Sequence, residues 1–331
     1  MASKSLTVTD VPSGPPRHVQ APSLLRIPPS DLQPLCHPLE KQVTEEVNGY
    51  FLKHWNFTTE KSRKKFVNAG FSTVTCWYFP MALDDRIHFA CRLLTILFLI
   101  DDVLEHMSLV EGEAYNNKLM PIARGDVLPD RSVPVEYIMY DLWNSMREHD
   151  ASSDEILESV FTFMRAQTDS RRLKEMDLKE YFEYREHDVG KGLLAALMRF
   201  SMGLRLTPEE VAVVRPIDMN CSKHLSVIND IWSYEKEVLA SQTLHQEGGV
   251  LCTAVAIFAA GTDLPPAAAK RVLYALCREW EKKHEELTAA TLGNKDFSSD
   301  QIRAYIKGLE YQMSGNEIWS RTTLRYLAPS D

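Results

Sequence analysis

Three carboxylates stand close together where an apolar run of the chain ends. The run covers residues 93–100, Asp101 and Asp102 follow it directly, and Glu105 comes one helical turn later. The apolar pattern predicts one helix over about 84–107. Asp101 and Glu105 share a face of this helix because they are four residues apart.

Such an acidic helix end admits two interpretations. Three acids beside an apolar surface repel one another and resist removal from water. A hard divalent cation such as Mg²⁺ relieves both costs, because it binds carboxylate oxygens and keeps other coordination positions for water or phosphate. A helix end that emerges into solvent relieves them as well. The residues of this segment alone leave both interpretations open.

A second group of oxygen donors lies in a helix predicted over 208–240. Asn229, Ser233 and Glu237 recur every four residues, so they form one polar stripe along that helix. Amide, hydroxyl and carboxylate oxygens are ligands that suit Mg²⁺, although an ordinary solvated helix face carries the same residue types. Asp230 falls off the stripe and is predicted to be a supporting hydrogen-bond acceptor.

Cations that could bind an anion lie elsewhere in the sequence. Lys236 precedes Glu237, Arg185 stands among mixed charges, and Arg325 and Tyr326 come just before the C-terminus. Taken singly, each basic residue is explained as well by a surface position or an ion pair. Together with two oxygen-donor clusters on separate helices they suit a diphosphate, whose oxygens bind both metal ions and basic side chains.

Loss of diphosphate from an allylic carbon leaves a carbocation, which needs a dry cavity and a stabilised leaving group. Aromatic faces attract positive charge. Candidate aromatic residues are Trp77, Tyr78, Phe98, Phe163 and Trp319. Packing in the hydrophobic core explains each of them singly.

Composition narrows the class of protein. The 331 residues are 44% hydrophobic and 25% charged, as in globular proteins, and the net charge of −9 argues against a nucleic-acid partner. The six cysteines are widely spaced, without the pairs typical of zinc sites or disulfide frameworks. The longest apolar run is too short to span a bilayer, and no apolar signal region opens the chain. We therefore expect a reduced, cytoplasmic protein with no membrane span.

Periodicity predicts an all-α protein with one domain over 34–331, preceded by a proline-rich, disordered arm over 1–33. Residues 112–134 are predicted to be a long connection and residues 242–249 a mobile loop. The predicted helices cover about 39–55, 73–80, 84–107, 135–149, 154–168, 177–206, 208–240, 250–260, 265–287 and 298–320.

These segments resemble motifs of the class I terpene cyclases. Asp101-Asp-Val-Leu-Glu105 is similar to their aspartate-rich DDxxE motif, residues 229–237 to their NSE motif with its following Lys, and Arg325-Tyr326 to a C-terminal RY pair. The resemblance covers about residues 35–327 and is narrower still to the fungal aristolochene synthases. It is carried by further segments at 83–92, 124–131, 163–169 and 308–316.

The resemblance implies a class I terpenoid synthase helical bundle around a deep apolar pocket, with farnesyl diphosphate as substrate and three Mg²⁺ ions. It implies metal binding by Asp101, Asn229, Ser233 and Glu237, with Asp102, Glu105 and Asp230 in support. It implies diphosphate binding by Arg185, Lys236, Arg325 and Tyr326. It implies a substrate cavity lined by Tyr78, Phe98, Phe163 and Trp319.

The implied reaction is ionisation and ring closure to a germacrene intermediate, followed by reprotonation and a second closure to aristolochene. Another cyclic product of germacrene or eudesmane type is the alternative within this enzyme class. A chain-elongating prenyltransferase and a non-catalytic helical module are the competing classes. The second motif is Asn/Ser/Glu rather than aspartate-rich, which favours cyclisation. A homo-oligomer, dimer or tetramer, is also expected.

Overall fold

The computed structural model describes residues 29–244 and 246–326, and all regular elements in these ranges are helical. The predicted all-α class is confirmed. Residues 1–28 of the predicted arm lie outside the described residues. The helices are α1 (Glu40–His54), α2 (Glu60–Ala69), α3 (Phe71–Tyr78), α4 (Ile87–Leu104), α5 (Leu109–Arg124), α6 (Pro134–His149), α7 (Asp154–Ala166), α8 (Leu178–Asp188), α9 (Lys191–Met202), α10 (Pro208–Thr243), α11 (Ala254–Thr262), α12 (Pro266–Gly293) and α13 (Asp300–Thr322).

Two buried helices carry the motifs. α4 is apolar on nearly all sides, and it is surrounded by α1, α3, α6 and α9, as expected for a helix without a solvent face. α10 has 36 residues and packs against α12 and α13. It begins with Thr207, which forms a capping box with Glu210, and with Pro208 at its first position. Both motif helices are therefore fixed by the core.

The predicted connection over 112–134 is wrong, because most of it is helix α5. Ser108 and Glu111 form a capping box that starts this helix. Pro121 lies inside it, and Gly125 ends it with a positive φ of 90°. Glycine and proline in the sequence suggested a loop, but only residues 125–133 connect α5 to α6.

The single helix predicted over 177–206 is also wrong, because it is divided into α8 and α9. Gly190 adopts a positive φ of 71° at the break. A Cβ built at this position would lie 3.2 Å from the Phe163 ring, so a side chain has little room there. The break thus allows α7 to approach closely, and it places Phe163 beside the start of α9.

None of the described helices is long and apolar enough to cross a membrane. The six cysteines are free thiols, and the Sγ atoms of Cys76 and Cys91 lie 3.9 Å apart in the core. Residues 29–33, assigned by prediction to the arm, lie against α12, where Ser30 donates a 2.9 Å hydrogen bond to Glu281.

Candidate active site

A cavity of about 200 Å³ lies between α4 and α10. α3, α7, α8, α9 and α13 complete its wall. Asp102 and Asp230 lie behind the lining. The other predicted site residues all line it, namely Tyr78, Phe98, Asp101, Glu105, Phe163, Arg185, Asn229, Ser233, Lys236, Glu237, Trp319, Arg325 and Tyr326.

The acidic end of α4 forms one tight cluster. Carboxylate oxygens of Asp101, Asp102 and Glu105 all lie within 4.8 Å of one another. Arg325 binds Asp102 through Nη2 at 2.8 Å and Nη1 at 3.2 Å, and its Nη2 lies 3.6 Å from Asp101. Gln167, just after α7, donates a 3.1 Å hydrogen bond to Asp101. The C-terminal turn, a 3₁₀ turn over Leu324–Tyr326, is therefore anchored on the carboxylates at the end of α4.

The two adjacent aspartates differ in their electrostatics. Burial, together with the charge of Glu105, raises the pKa of Asp101 to about 6 despite the nearby Arg325. Burial also acts to raise the pKa of Asp102, but the ion pair with Arg325 outweighs it and the pKa is lowered. Asp101 thus lines the cavity with a carboxylate whose charge is poorly compensated by protein, which suits a cation.

The polar stripe of α10 faces the same cavity. Asn229 accepts a 2.8 Å hydrogen bond from Arg185 and donates one of 2.7 Å to the Tyr326 hydroxyl. One turn later Ser233 donates to Glu237 at 2.5 Å, as expected for side chains that lean toward the helix N-terminus. The amide, hydroxyl and carboxylate oxygens are hard donors of the kind that Mg²⁺ takes.

Asp230 supports this stripe from behind. Its buried carboxylate accepts a 3.2 Å hydrogen bond from Arg185, one from the Tyr181 hydroxyl, and one of 2.7 Å from the Ala254 amide at the start of α11. Arg185 also binds Asp188 on its own helix. The guanidinium of Arg185 is therefore held between α8 and α10 by two carboxylates.

Aromatic rings form one wall of the cavity. Phe98 stacks on Phe71 with ring centroids 4.5 Å apart, and Trp319 lies 6.2 Å from Phe98. The Trp319 indole donates to the Ala69 carbonyl at 3.2 Å and contacts Tyr326 edge to face. These contacts fix the orientation of the rings of Phe98 and Trp319, which border the cavity.

Tyr78 and Asn316 form a polar pair in an otherwise apolar region. The Tyr78 hydroxyl donates to Asn316 at 2.8 Å, and Asn316 donates to the Leu225 carbonyl at 3.1 Å. Burial raises the pKa of Tyr78, so the phenol stays neutral at physiological pH. Neither Trp77 nor Trp232 lines the cavity. Trp232 packs instead against a second group of core residues, which includes Val255 of α11 and Leu273 of α12.

A short turn after α10 covers one edge of the cavity. Residues predicted as a mobile loop form the end of α10 and, after the undescribed His245, a 3₁₀ turn over Glu247–Gly249. Gly248 donates to the Met107 carbonyl at 3.0 Å, and Glu247 accepts from the Leu109 amide at 2.9 Å. The turn therefore links the end of α10 to the segment between α4 and α5.

Comparison with known proteins agrees with this geometry. Residues 92–283 match the family model described as terpene synthase family 2, C-terminal metal binding. The chain is 67% identical to the aristolochene synthase of Aspergillus terreus, over 92% of this chain and 96% of that protein. It is 64% identical to the (+)-aristolochene synthase of Penicillium expansum, over 91% of each chain. The chain belongs to the terpene synthase family.

The solved structures give the same result for this terpene synthase. The crystal structure of aristolochene synthase from Penicillium roqueforti superposes with a TM-score of 0.80 at 57% identity, and covers 90% of this chain and 99% of that one. The predicted class I terpenoid synthase fold and the resemblance to fungal aristolochene synthases are confirmed. The match to a metal-binding family model also supports a divalent-metal site, because the matched residues 92–283 include both oxygen-donor clusters.

Four polar residues of the lining received no role from the sequence: Gln167, Arg172, Asp188 and Asn316. Gln167 and Asn316 lie in segments similar to the family, at 163–169 and 308–316, which was the available signal. Asp188 stands one helical turn after Arg185. Arg172 had no signal, because it lies in a short turn between α7 and α8.

Proposed function

We propose that this chain is a magnesium-dependent sesquiterpene cyclase, a carbon–oxygen lyase that converts farnesyl diphosphate to aristolochene and diphosphate. The observation that carries the proposal is the shared cavity, whose lining combines two oxygen-donor sets from separate helices with an aromatic wall. Relatives that bear the name aristolochene synthase, at 59–67% identity, support the choice of product.

The donor set fits magnesium. Asp101 offers a poorly compensated carboxylate, and Asn229, Ser233 and Glu237 offer three different hard oxygens on one stripe. We propose that Asp101 holds two of three Mg²⁺ ions and that the stripe holds the third. When bound, these ions would supply Lewis-acid stabilisation of the departing diphosphate.

The basic residues and Tyr326 are proposed to bind the diphosphate. Arg185, Lys236 and Arg325 line the cavity next to the two donor sets. Burial raises the pKa of Tyr326, so its hydroxyl remains a neutral donor, and its oxygen already accepts from Asn229. An anion bound here would meet preorganised donors, so little reorganisation is needed as its charge grows.

The aromatic wall is proposed to stabilise the carbocations. Phe98, Phe163 and Trp319 can present their ring faces to positive charge, while the apolar lining around them excludes water. Tyr78 is kept neutral and donates to Asn316, so it offers no base at neutral pH. Product identity depends on the contour of this region.

Incubation with farnesyl diphosphate and Mg²⁺, followed by mass spectrometry of the volatile products, tests the proposal. Aristolochene is the expected product. A germacrene- or eudesmane-type hydrocarbon would replace the proposed product within the same class. A longer prenyl diphosphate, or no turnover, would overturn cyclisation itself.

The metal assignment has its own test. Asn229→Leu and Ser233→Ala are expected to lower turnover by orders of magnitude, because each removes an oxygen donor. Ser241→Ala is the matched control on the same helix, since among residues 29–244 and 246–326 the Ser241 hydroxyl donates only to the Val238 carbonyl, and Ser241 is not among the residues that line the cavity there. Wild-type rates in either of the first two variants would refute the assignment.

The expected dimer or tetramer stays a prediction. Light scattering coupled to size-exclusion chromatography measures the mass directly, and a mass equal to that of one chain would contradict it.

A further inference from the structure

Arg172 is a basic residue of the cavity lining that has no role in the proposed function. It lies in the 3₁₀ turn Ser170–Leu173 between α7 and α8 and lines the cavity. Its Nη1 donates to the Gln167 carbonyl at 2.5 Å. Its Nε is buried and has no hydrogen-bond partner among the described residues. Most of its donors are therefore left for something other than protein.

The other three cations of the lining are already matched with carboxylates. Arg185 binds Asp188 and Asp230. Lys236 binds Glu105, and Arg325 binds Asp102. These pairs neutralise charge that the protein itself carries.

Arg172 differs from them. Within residues 29–244 and 246–326, no carboxylate oxygen lies within 4.0 Å of its guanidinium nitrogens. A half-buried guanidinium that makes no ion pair has only longer-range attraction to Asp188 and Asp101 of the lining, so a ligand that brings negative charge into contact with it is favoured. Its planar fork matches phosphate oxygens in pairs. The arrangement therefore favours a phosphate-bearing ligand at this side of the cavity.

We propose that Arg172 is a further diphosphate-binding residue, which donates to oxygens of the substrate's diphosphate from the α7–α8 side and retains the product diphosphate. This inference rests on the proposed function. Arg172 would add a donor from the turn between α7 and α8, whereas Lys236 comes from α10 and Arg325 and Tyr326 from the C-terminal turn. Arg172 makes or breaks no covalent bond in this role.

A purely structural role makes a different prediction. Arg172 holds the Gln167 carbonyl, and the Gln167 side chain binds Asp101. If Arg172 acted only through this route, Arg172→Gln would have no further effect in a Gln167→Ala background. If it binds the diphosphate directly, Arg172→Gln has the same effect in both backgrounds.

The experiment measures the KM for farnesyl diphosphate and the inhibition constant of inorganic pyrophosphate, both at saturating Mg²⁺. Arg172→Gln is expected to raise both by about ten- to a hundredfold, the usual effect of losing a charge-assisted hydrogen bond. Arg171→Gln is the matched control, since Arg171 is exposed and pairs with Asp169. It should leave both constants unchanged.

Two outcomes decide against the inference. Wild-type constants in Arg172→Gln, or loss of its effect in the Gln167→Ala background, would overturn it. If Arg172→Gln does not fold, Arg172→Met keeps the aliphatic stem and is judged by the same constants. Calorimetric binding of magnesium pyrophosphate to the wild-type protein and to the variants does not depend on product, so failure of aristolochene formation alone leaves this test intact.

Discussion

Lys236 on α10 donates a 2.5 Å hydrogen bond to Glu105, the residue directly after α4, and this ion pair links the two helices that carry the oxygen donors. Both side chains are more than four-fifths buried, so the interaction is only weakly screened by solvent. It balances one of three clustered carboxylates from the opposite side of the cavity. The two motif helices are thus coupled even without a ligand.

Loss of this pair should impair function more than folding. In Lys236→Gln we expect kcat/KM for farnesyl diphosphate to fall by about two orders of magnitude, because both the ion pair and a diphosphate donor are lost. Steady-state kinetics with Lys223→Gln as control, a lysine of the same helix whose ammonium lies over Phe182, measures the effect. Unchanged kinetics in Lys236→Gln would remove this lysine from the site.

The parts of the site that could be predicted from the sequence are local ones. Asp101 and Glu105 are four residues apart, and Asn229, Ser233 and Glu237 follow one another at the same interval. The spacing alone therefore placed each set on one face of a helix. The meeting of the two sets across a cavity did not follow from spacing. It depended on resemblance to a known family.

The parts that could not be predicted depend on tertiary approach. Gly112 suggested a loop, yet it lies in α5, where a Cβ would lie 2.9 Å from a methyl group of Thr168. This glycine serves close packing rather than a turn. Arg172 enters the site from a short turn without periodicity, so nothing local marked it, and Gln167 lay in a predicted helix whose spacing gave this side chain no role. Long-range contacts decided both cases.

Gly248 should tolerate no side chain. A Cβ at this position would lie 2.0 Å from the Leu104 carbonyl oxygen, so Gly248→Ala must displace the turn that borders the cavity. We expect kcat/KM to fall at least about tenfold while the melting temperature falls by only a few degrees, since the turn is short and peripheral. Gly261→Ala is the control, because no atom lies within 4 Å of its built Cβ. Equal activity in the two variants would contradict the predicted clash.

His284 should make the fold sensitive to acid. Burial, and to a lesser degree the positive charge of His224 and Lys191, lowers the pKa of His284 from 6.5 to about 4. The unfolded chain therefore binds the proton more readily, and stability falls as the pH decreases from 6.5 toward 4, whereas it is unaffected by this group above 6.5. The loss is on the order of 3 kcal/mol at the acid end.

Urea unfolding at pH 7.5, 5.5 and 4.5 measures this dependence. His284→Gln is expected to lose less stability between pH 7.5 and 4.5 than the wild type, whatever its stability at neutral pH. An identical pH dependence in both proteins would show that His284 does not carry the effect.

Arg278 is predicted to be the most sensitive charged position outside the cavity. It is 6% exposed and binds both Glu281 and Glu317, and the Tyr274 hydroxyl also donates to Glu317. His224 lies 3.2 Å from Glu281. His224, Glu281 and Glu317 are residue types that bind metal ions, but here Arg278 already supplies the positive charge. Arg278→Met removes the cation that both buried carboxylates share, and leaves Glu317 with the more distant Arg321 at 3.8 Å.

The expected cost of Arg278→Met is about 3–5 kcal/mol in the free energy of unfolding, because breaking a buried pair strands charge rather than merely removing attraction. Arg271→Met on the same helix is the control, since Arg271 is exposed and, within the part of the chain that the structure describes, donates only to the Ala267 carbonyl. Neutralising the carboxylates in the triple variant Arg278→Met, Glu281→Gln, Glu317→Gln should recover part of the loss. A triple variant no more stable than Arg278→Met would mean that lost packing of the arginine stem, and not stranded charge, accounts for the effect.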